Sequence, residues 1–251
     1  MKTLIKSFSD YVIRDYRNSI ADNKLVSFNV VIKESDLFIS ADSNLAGEAT
    51  ASLFKIRSSI ESYINDHPEF RFSLRPIPFD DMAPPVVLRM LGASKAAGVG
   101  PMAAVAGAVA DHVGMDLLKL SRNVIIENGG DVFIQTENDL HVGLFAGKSP
   151  LSERVSIYIR SNEMPLGIST SSGTIGHSLS FGRTDAACVK AQSAALADAV
   201  ATAVGNRVKT KTDLEEALDY GIKIKGVLGV VIIIGDHLGA IGDIELRKGG
   251  S

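Results

Sequence analysis

The order of strand-like and helix-like segments limits the fold of this sequence more than any other feature. Residues 25–33 and 36–41 carry the pattern of a β-hairpin, and an apolar spacing of three and four within residues 44–66 predicts a helix. Further strand-like runs, separated by single helical segments, occupy residues 123–126, 127–135, 140–145, 155–159, 222–234 and 238–246. This mixed order predicts an α+β fold with mainly antiparallel sheets and interspersed helices, not a doubly wound parallel sheet.

Composition and charge exclude several classes of protein. With 251 residues, 45% of them hydrophobic, the chain can bury a sizeable core without metals or disulfides. The net charge of -3 opposes a nucleic-acid-binding surface, and a single cysteine excludes a disulfide framework. The first residues show no apolar stretch ahead of their charges, and the apolar runs 92–110 and 226–235 do not suit a membrane span. We therefore expect a cytoplasmic protein with no nucleic-acid or membrane partner.

Residues 70–86 contain four prolines and mark the place where the sequence suggests a connector. We expect residues 1–251 to form a single domain, organised as two halves if this connector acts as a hinge. The apolar run near 227–234 could lie at a dimer seam, so a homodimer is one expectation for the oligomeric state.

The Ala-rich segment 186–204 predicts a helix with Asp185 as its N-cap. Asp198 and Thr202 are four residues apart on it and therefore share one face. Burying an unpaired carboxylate among alanines is costly, and a hard cation such as Mg²⁺ would relieve that cost. The alternative is that the alanine face packs while Asp198 points to solvent or caps a neighbouring turn. Cys188 falls within the same predicted helix and is expected to be a small buried residue.

Residues 169–177, STSSGTIGH, concentrate hydroxyl groups and glycines. The backbone N–H groups of such a loop can form an anion-binding nest to which the hydroxyls add donors. The candidate binding residues of this loop are Ser171, Ser172, Gly173 and Thr174. His177 is a candidate general base at neutral pH. The alternative is a polar turn with one exposed histidine.

A glycine pair, Gly129 and Gly130, stands directly before Asp131 between two apolar strands. The pair predicts either a simple turn or bulge, or a backbone that lies against a flat ligand while Asp131 accepts a hydrogen bond. All three residues are therefore candidates for ligand binding.

Four motifs, in this order, resemble the ApbE-like superfamily, whose best-known members are FAD:protein FMN transferases. They are GAVADHVG after the Ala/Gly tract, NGGDV at 128–132, TSSG followed by His177, and ADAVAT at 197–202. ADAVAT is the most specific of them because it closely matches the ADALAT signature of that family. The form HSLSFGRTDAA is similar to a smaller cytoplasmic branch that is associated with the assimilation of sulfide into homocysteine.

The resemblance implies an ApbE-like, T-fold-like architecture with FAD and Mg²⁺ as cofactors. By this resemblance Asp198 and Thr202 would hold Mg²⁺ beside the FAD pyrophosphate. His177 would take the proton from an acceptor threonine, whose oxygen attacks the FMN phosphorus while AMP leaves. The glycine pair and the loop at 171–174 would line the flavin or its phosphates.

Two departures from the family pattern bear on the chemistry. Ala106 stands where the family has the lysine of an AKG motif, and GHSLSFGRTD lacks the Asp-Pro of the segment HHIIDP…TG. Three hypotheses therefore stay open. The chain is an Mg²⁺-dependent enzyme that transfers or cleaves off the FMN half of FAD, a non-catalytic flavin- or nucleotide-binding accessory protein of sulfur assimilation, or a structural protein. An acceptor or pathway protein would be the partner in the first two.

Overall fold

The computed structural model describes residues 25–172 and 182–249. In this part of the chain the strands are β1 (Val26–Ile32), β2 (Ser35–Ala41), β3 (Val124–Asn128), β4 (Asp131–Gln135), β5 (Leu140–Gly143), β6 (Val155–Ile159), β7 (Leu166–Ser171), β8 (Ala186–Ala191), β9 (Val227–Ile234), β10 (His237–Gly242) and β11 (Glu245–Lys248). The helices are α1 (Ala46–Asp66), α2 (Glu69–Phe72), α3 (Pro85–Ala97), α4 (Val105–Leu117), α5 (Ala194–Arg207) and α6 (Leu214–Ile222).

The strands form two antiparallel sheets. The larger sheet has the order β1-β2-β3-β4-β7-β8-β9-β10, and the smaller one has the order β11-β6-β5. Every neighbouring pair of strands in both sheets is antiparallel. The predicted α+β class with mainly antiparallel sheets is confirmed.

The larger sheet separates two hydrophobic clusters. Alternate residues of a strand point to opposite faces, and in β4 Phe133 joins the cluster formed with the helices. Val132 and Ile134, on the other face of β4, join a second cluster with the smaller sheet. Asp131 is two residues from Phe133, so it lies on the face of the sheet that the helices cover.

The prediction of a helix over residues 186–204 is wrong for the first part of this segment. Residues Ala186–Ala191 form β8, which is buried along its whole length, and α5 begins only at Ala194. The N-cap of α5 is Ser193, whose hydroxyl accepts a hydrogen bond from the N–H of Leu196, whereas Asp185 accepts one from the N–H of Gly235. Cys188 is accordingly a strand residue. It is buried as expected.

The end of the predicted connector belongs to a helix. Helix α3 begins at Pro85, in the first helical turn where proline lacks no intrahelical hydrogen bond. The hydrophobic cluster on the helix side contains residues from before and after the connector, such as Leu53 and Met90. The division of the chain into two halves near 70–86 stays a prediction.

The apolar run of β9 is accounted for within one chain. This strand pairs with β8 on one side and β10 on the other, and Gly229–Ile233 are buried. Its hydrophobicity therefore gives no support to a dimer seam, and the homodimer stays a prediction.

The Ala/Gly tract forms parts of α3 and α4, with a 3₁₀ turn at Pro101–Ala104 between them. Within the two described ranges of the chain, no single helix is long and apolar enough to cross a membrane. Taken together, α3 and the segment Pro101–Leu117 are long and apolar enough to cross a membrane, but the two are bent by 106° relative to each other.

Candidate functional site

The turn between β3 and β4 places Asp131 on the helix-facing side of the larger sheet. Gly129 and Gly130 have φ values of 70° and 107°, conformations that L side chains rarely adopt. The turn is held by the N–H of Gly130, which donates to Oε1 of Glu127 at 2.8 Å. The backbone therefore forms a turn at the glycine pair, and contact of the pair with a flat ligand stays a prediction.

Asp131 is buried beside the neighbouring strand. It pairs with Ser169 of β7, and the Ser169 hydroxyl donates a short hydrogen bond to Oδ1 of Asp131. Both residues are less than a tenth exposed. The carboxylate is therefore fixed by β7 and directed toward the helices above the sheet.

Helix α5 carries Asp198 and Thr202 in consecutive turns, and both keep some solvent exposure. Oδ2 of Asp198 accepts a hydrogen bond from the N–H of Gly107, at 3.1 Å, in the first turn of α4. Asp198 therefore caps a neighbouring helix, which is one of the alternatives left open by the sequence. The partial exposure leaves room for it to contact a ligand as well.

The two aspartates interact through their charges. The pKa of Asp131 is raised to about 7, first by burial and then by the charge of Glu127, against the opposing effect of the Ser169 hydrogen bond. The pKa of Asp198 is also raised, first by loss of solvent and then by the negative charge of Asp131. Two buried carboxylates with raised pKa values, one of them raised by the charge of the other, are typical of a place where a cation or a proton is bound.

A backbone carbonyl at the start of α4 also belongs to this region. The side chain of Asn128, at the end of β3, donates from Nδ2 to the carbonyl oxygen of Ala106 at 3.0 Å. This contact joins the β3–β4 turn to the helix turn that Asp198 caps. We define the two-carboxylate site by Asp131, Ser169, Asp198 and Thr202.

A metal ion at this site would need oxygen donors other than a third acidic or histidine side chain. In the described part of the chain, no group of three or more His, Cys, Asp and Glu side chains is arranged to hold a metal ion. Hydroxyl and carbonyl oxygens, water or phosphate oxygens of a substrate would have to complete the coordination. Mg²⁺ is commonly bound in this way, by one or two carboxylates together with substrate phosphates.

The structure brings only some of the sequence-predicted residues together. Ser171 ends β7, and its hydroxyl lies 3.7 Å from the position that a Cβ atom on Gly205 of α5 would take. The described chain resumes at Gly182, whose backbone packs against Gly205. Ser172 directly follows β7. Gly173, Thr174 and His177 lie outside the described residues, so their predicted roles stay predictions.

Sequence reasoning missed several residues that shape the site: Gly107, Asp111, Asn128 and Ser169. Ser169 falls in the hydroxyl-rich loop motif, but it is a strand residue whose partner, Asp131, is set by pairing of β4 with β7. Asp111 and Gly107 lie in the segment AGAVAD, where four-residue spacing on a helix was the only available signal. Their partners are on another helix, which a pattern within one helix cannot reveal.

The chain is similar to known proteins in sequence. The model of the family described as AbpE bacteria matches residues 17–245. A UPF0280 protein from Methanococcus aeolicus is 36% identical over 226 residues, covering 88% of this chain and 91% of the relative. A UPF0280 protein from Methanocaldococcus jannaschii is 37% identical over 226 residues, covering 87% of this chain and 92% of the relative.

Solved structures share the architecture at low sequence identity. The ApbE protein of Thermotoga maritima superposes with a TM-score of 0.56 at 12% identity, covering 86% of this chain and 96% of its own. The apo form of the flavinyl transferase ApbE from Pseudomonas stutzeri has a TM-score of 0.55 at 14% identity, covering 87% of this chain and 94% of its own. At sequence identities this low, the structural similarity shows a common fold and nothing more.

Proposed function

The chain belongs to the AbpE bacteria family, and from this premise we propose that it binds FAD together with Mg²⁺ at the two-carboxylate site. The observation that carries the proposal is the pair Asp131 and Asp198, two carboxylates on facing elements whose pKa values are both raised by burial, with that of Asp198 raised also by the charge of Asp131. Its likeness in fold to a structure named as a flavinyl transferase supports a flavin as the ligand.

The residues at the site fit a magnesium ion. Asp131 uses Oδ1 for its hydrogen bond with Ser169, and Asp198 uses Oδ2 for its hydrogen bond with Gly107. Asp131 and Asp198 are the residues that would hold the cation. A cation would neutralise the charge repulsion between them, and a Thr202 hydroxyl one turn along α5 would add a hard oxygen donor.

Bound Mg²⁺ would supply neutralisation of the pyrophosphate oxygens of FAD, which favours cleavage of the phosphoanhydride. The chain's own part is to hold the phosphates beside α5, where the segment from Ser171 and Ser172 leaves the sheet. His177 is the proposed base, which would remove the proton from an attacking hydroxyl. With a threonine hydroxyl as nucleophile the products are an FMN-threonine phosphoester and AMP, and with water they are FMN and AMP.

A second function is favoured by Ala106. This residue stands where the resembled family has a lysine, so the chain brings no ammonium group to that position. Binding of FAD or another nucleotide without turnover would then be the activity, in an accessory protein that acts with a pathway protein. A role in sulfur assimilation and a cytoplasmic location are proposed on the resemblance alone.

One experiment separates these functions. The purified full chain is incubated with FAD, with and without Mg²⁺, while FMN and AMP are followed by chromatography and FAD affinity is measured by titration. We expect Mg²⁺-dependent release of FMN and AMP. Binding without products would favour the accessory function, and absence of both binding and products would contradict the proposal.

A matched pair of variants ties the activity to the site. Asp198→Asn keeps an oxygen that can cap Gly107 but removes the charge, so we expect Mg²⁺-dependent turnover to fall at least tenfold. Asp219→Asn removes a charge from α6, where Asp219 pairs with Lys223 on the surface at 3.7 Å. It should behave as the wild type. Equal turnover in the wild type and Asp198→Asn would remove Asp198 from the site.

A further inference from the structure

The first turns of α4 and α5 are each bound by a carboxylate of the other helix. Asp111 of α4 accepts hydrogen bonds from the N–H groups of Ala194 and Ala195, at 2.8 and 3.1 Å, where α5 begins. Asp198 of α5 accepts one from the N–H of Gly107, where α4 begins. In each helix the capping carboxylate comes four residues after a donor. The two helices therefore cap each other.

Caps within each helix do not replace this arrangement. The N-cap position of α4 is Ala104, which makes no side-chain cap. The N-cap of α5 is Ser193, whose hydroxyl accepts from the N–H of Leu196 at 3.3 Å. The first N–H groups of a helix have no partner inside the helix, so Asp111 supplies acceptors that α5 would otherwise lack.

Close backbone contact fixes where the two helices meet. A Cβ atom on Gly107 would lie 2.2 Å from the carbonyl oxygen of Ala194. A Cβ atom on Gly167 of β7 would lie 2.1 Å from the Ala194 nitrogen. The first turn of α5 is thus held between α4 and the strand that, two residues on, positions Asp131 through Ser169.

Asp111 is buried with a cationic partner. Its side chain is 2% exposed, and one oxygen lies 3.1 Å from the guanidinium nitrogen Nη1 of Arg89 on α3. A carboxylate with two backbone donors and a guanidinium group is well supported at a buried position. An amide at position 111 would turn a donor toward one of these donors and would weaken the junction.

We propose that Asp111 is a positioning residue of the two-carboxylate site. By holding the start of α5 against α4, it sets where Asp198 and Thr202 stand relative to Asp131. The part of this inference that concerns the cation rests on the proposed function. The coupling of the two caps follows from the contacts alone.

The test compares Asp111→Asn with Asp116→Asn in the full chain. Asp116 lies on the same helix, but its carboxylate accepts from the Ser52 hydroxyl of α1 at 2.7 Å and from Nζ of Lys119 at 2.7 Å, and neither partner belongs to α5. Mn²⁺ affinity is measured by electron paramagnetic resonance, and exchange of the Gly107 amide is measured by NMR. We expect Asp111→Asn to weaken Mn²⁺ binding by about 10- to 100-fold and to speed exchange at Gly107, while Asp116→Asn changes neither.

The outcomes separate a positioning role from general stabilisation. If Asp111→Asn lowers the thermal midpoint but leaves Mn²⁺ affinity and Gly107 exchange unchanged, the inference is overturned. If the wild type binds no Mn²⁺, the proposed function fails together with the cation part of the inference, and exchange at Gly107 decides the coupling. If Asp111→Asn does not fold, Asp198→Ala, which removes the acceptor of the Gly107 N–H, is used instead. Faster exchange at Ala194 and Ala195 supports the coupling, and unchanged exchange there overturns it.

Discussion

Gly107 and Ala194 approach so closely that no side chain fits between them, because a Cβ atom on Gly107 would stand 2.2 Å from the Ala194 carbonyl oxygen. This contact brings the N-terminal turns of α4 and α5 together. It places the Gly107 N–H within reach of Asp198, at 3.1 Å. The geometry of the candidate site thus depends on the absence of a side chain at Gly107 as much as on the polar side chains.

The close contact predicts that Gly107→Ala is destabilising. The added methyl group meets backbone atoms that cannot rotate away, so the helices must separate, at a cost of about 1–3 kcal/mol or more. Thermal and urea unfolding measure this loss. Gly92→Ala on α3 is the matched control, because a Cβ atom there meets nothing within 4 Å and should stabilise the helix by about 0.5–1 kcal/mol. A Gly107→Ala protein as stable as the wild type would contradict the observed contact.

The raised pKa of Asp131 predicts a pH dependence of stability. In the folded chain the carboxyl group holds its proton up to about pH 7, whereas an ordinary aspartate releases it near 3.8. The folded state therefore binds more protons between these values, so the free energy of unfolding attributable to this group falls as pH rises from about 4 to about 7. Asp131→Asn should remove that decline, measured as the difference between wild-type and variant urea unfolding curves. A difference that is constant over this range would show an ordinary pKa in the metal-free protein.

The antiparallel α+β class could be predicted from the order of patterns, but the boundary between β8 and α5 could not. Residues Ala186–Ala191 read AACVKA, and alanine and lysine favour helices. The strand is buried on both faces, so its sequence shows no alternation of polar and apolar residues. Lys190 would have provided a polar position, but its ammonium group is buried in ion pairs that only the tertiary fold creates.

The sequence could predict those parts of the candidate site whose residues belong to the same helix or the same turn. Asp198 and Thr202 share a helix face because of their spacing, and the glycine pair before Asp131 indicates a turn. The pairing of Asp131 with Ser169 depends on strand register across the sheet. The capping of Ala194 by Asp111 depends on packing between helices. Neither leaves a periodic signal in the sequence.

His177 is predicted to act as the general base if FAD is turned over. His177→Ala should lower the rate of FMN and AMP release by about 100-fold or more, because proton removal typically contributes that much, while FAD affinity stays unchanged. Rate and affinity are measured on the same preparation by product chromatography and by titration. A variant that loses affinity and keeps its maximal rate would make His177 a contact residue instead.

Ala106 is predicted to limit catalysis. Ala106→Lys would restore the ammonium group that the resembled family carries there, and we expect Mg²⁺-dependent release of FMN and AMP from FAD to increase. Ala106→Gln is the control, because it adds a long polar side chain without charge. An equal increase in both variants would assign the effect to size or hydrogen bonding, not to the charge.

The buried ion pairs of Lys190 predict a contribution to stability that does not involve the two-carboxylate site. Its side chain is 1% exposed on the face of β8 that contacts the smaller sheet, and its Nζ lies 2.7 Å from Oε2 of Glu163 and 3.3 Å from Oδ2 of Asp243. Lys190→Met leaves the Glu163 carboxylate partly hydrated and close to Arg160. We therefore expect the free energy of unfolding to fall by about 1–3 kcal/mol.

Glu163→Ala instead leaves the buried ammonium group with the mostly exposed Asp243. We expect this variant to lose about 3 kcal/mol or more, because a buried ammonium group that has lost its nearer carboxylate costs more than a partly hydrated carboxylate that has lost its ammonium partner. Urea unfolding orders the two variants, and Mn²⁺ affinity should equal that of the wild type in both, since Lys190 and the two-carboxylate site lie on opposite faces of the larger sheet. Greater loss in Lys190→Met than in Glu163→Ala would mean that the lysine contributes mainly by packing its aliphatic chain.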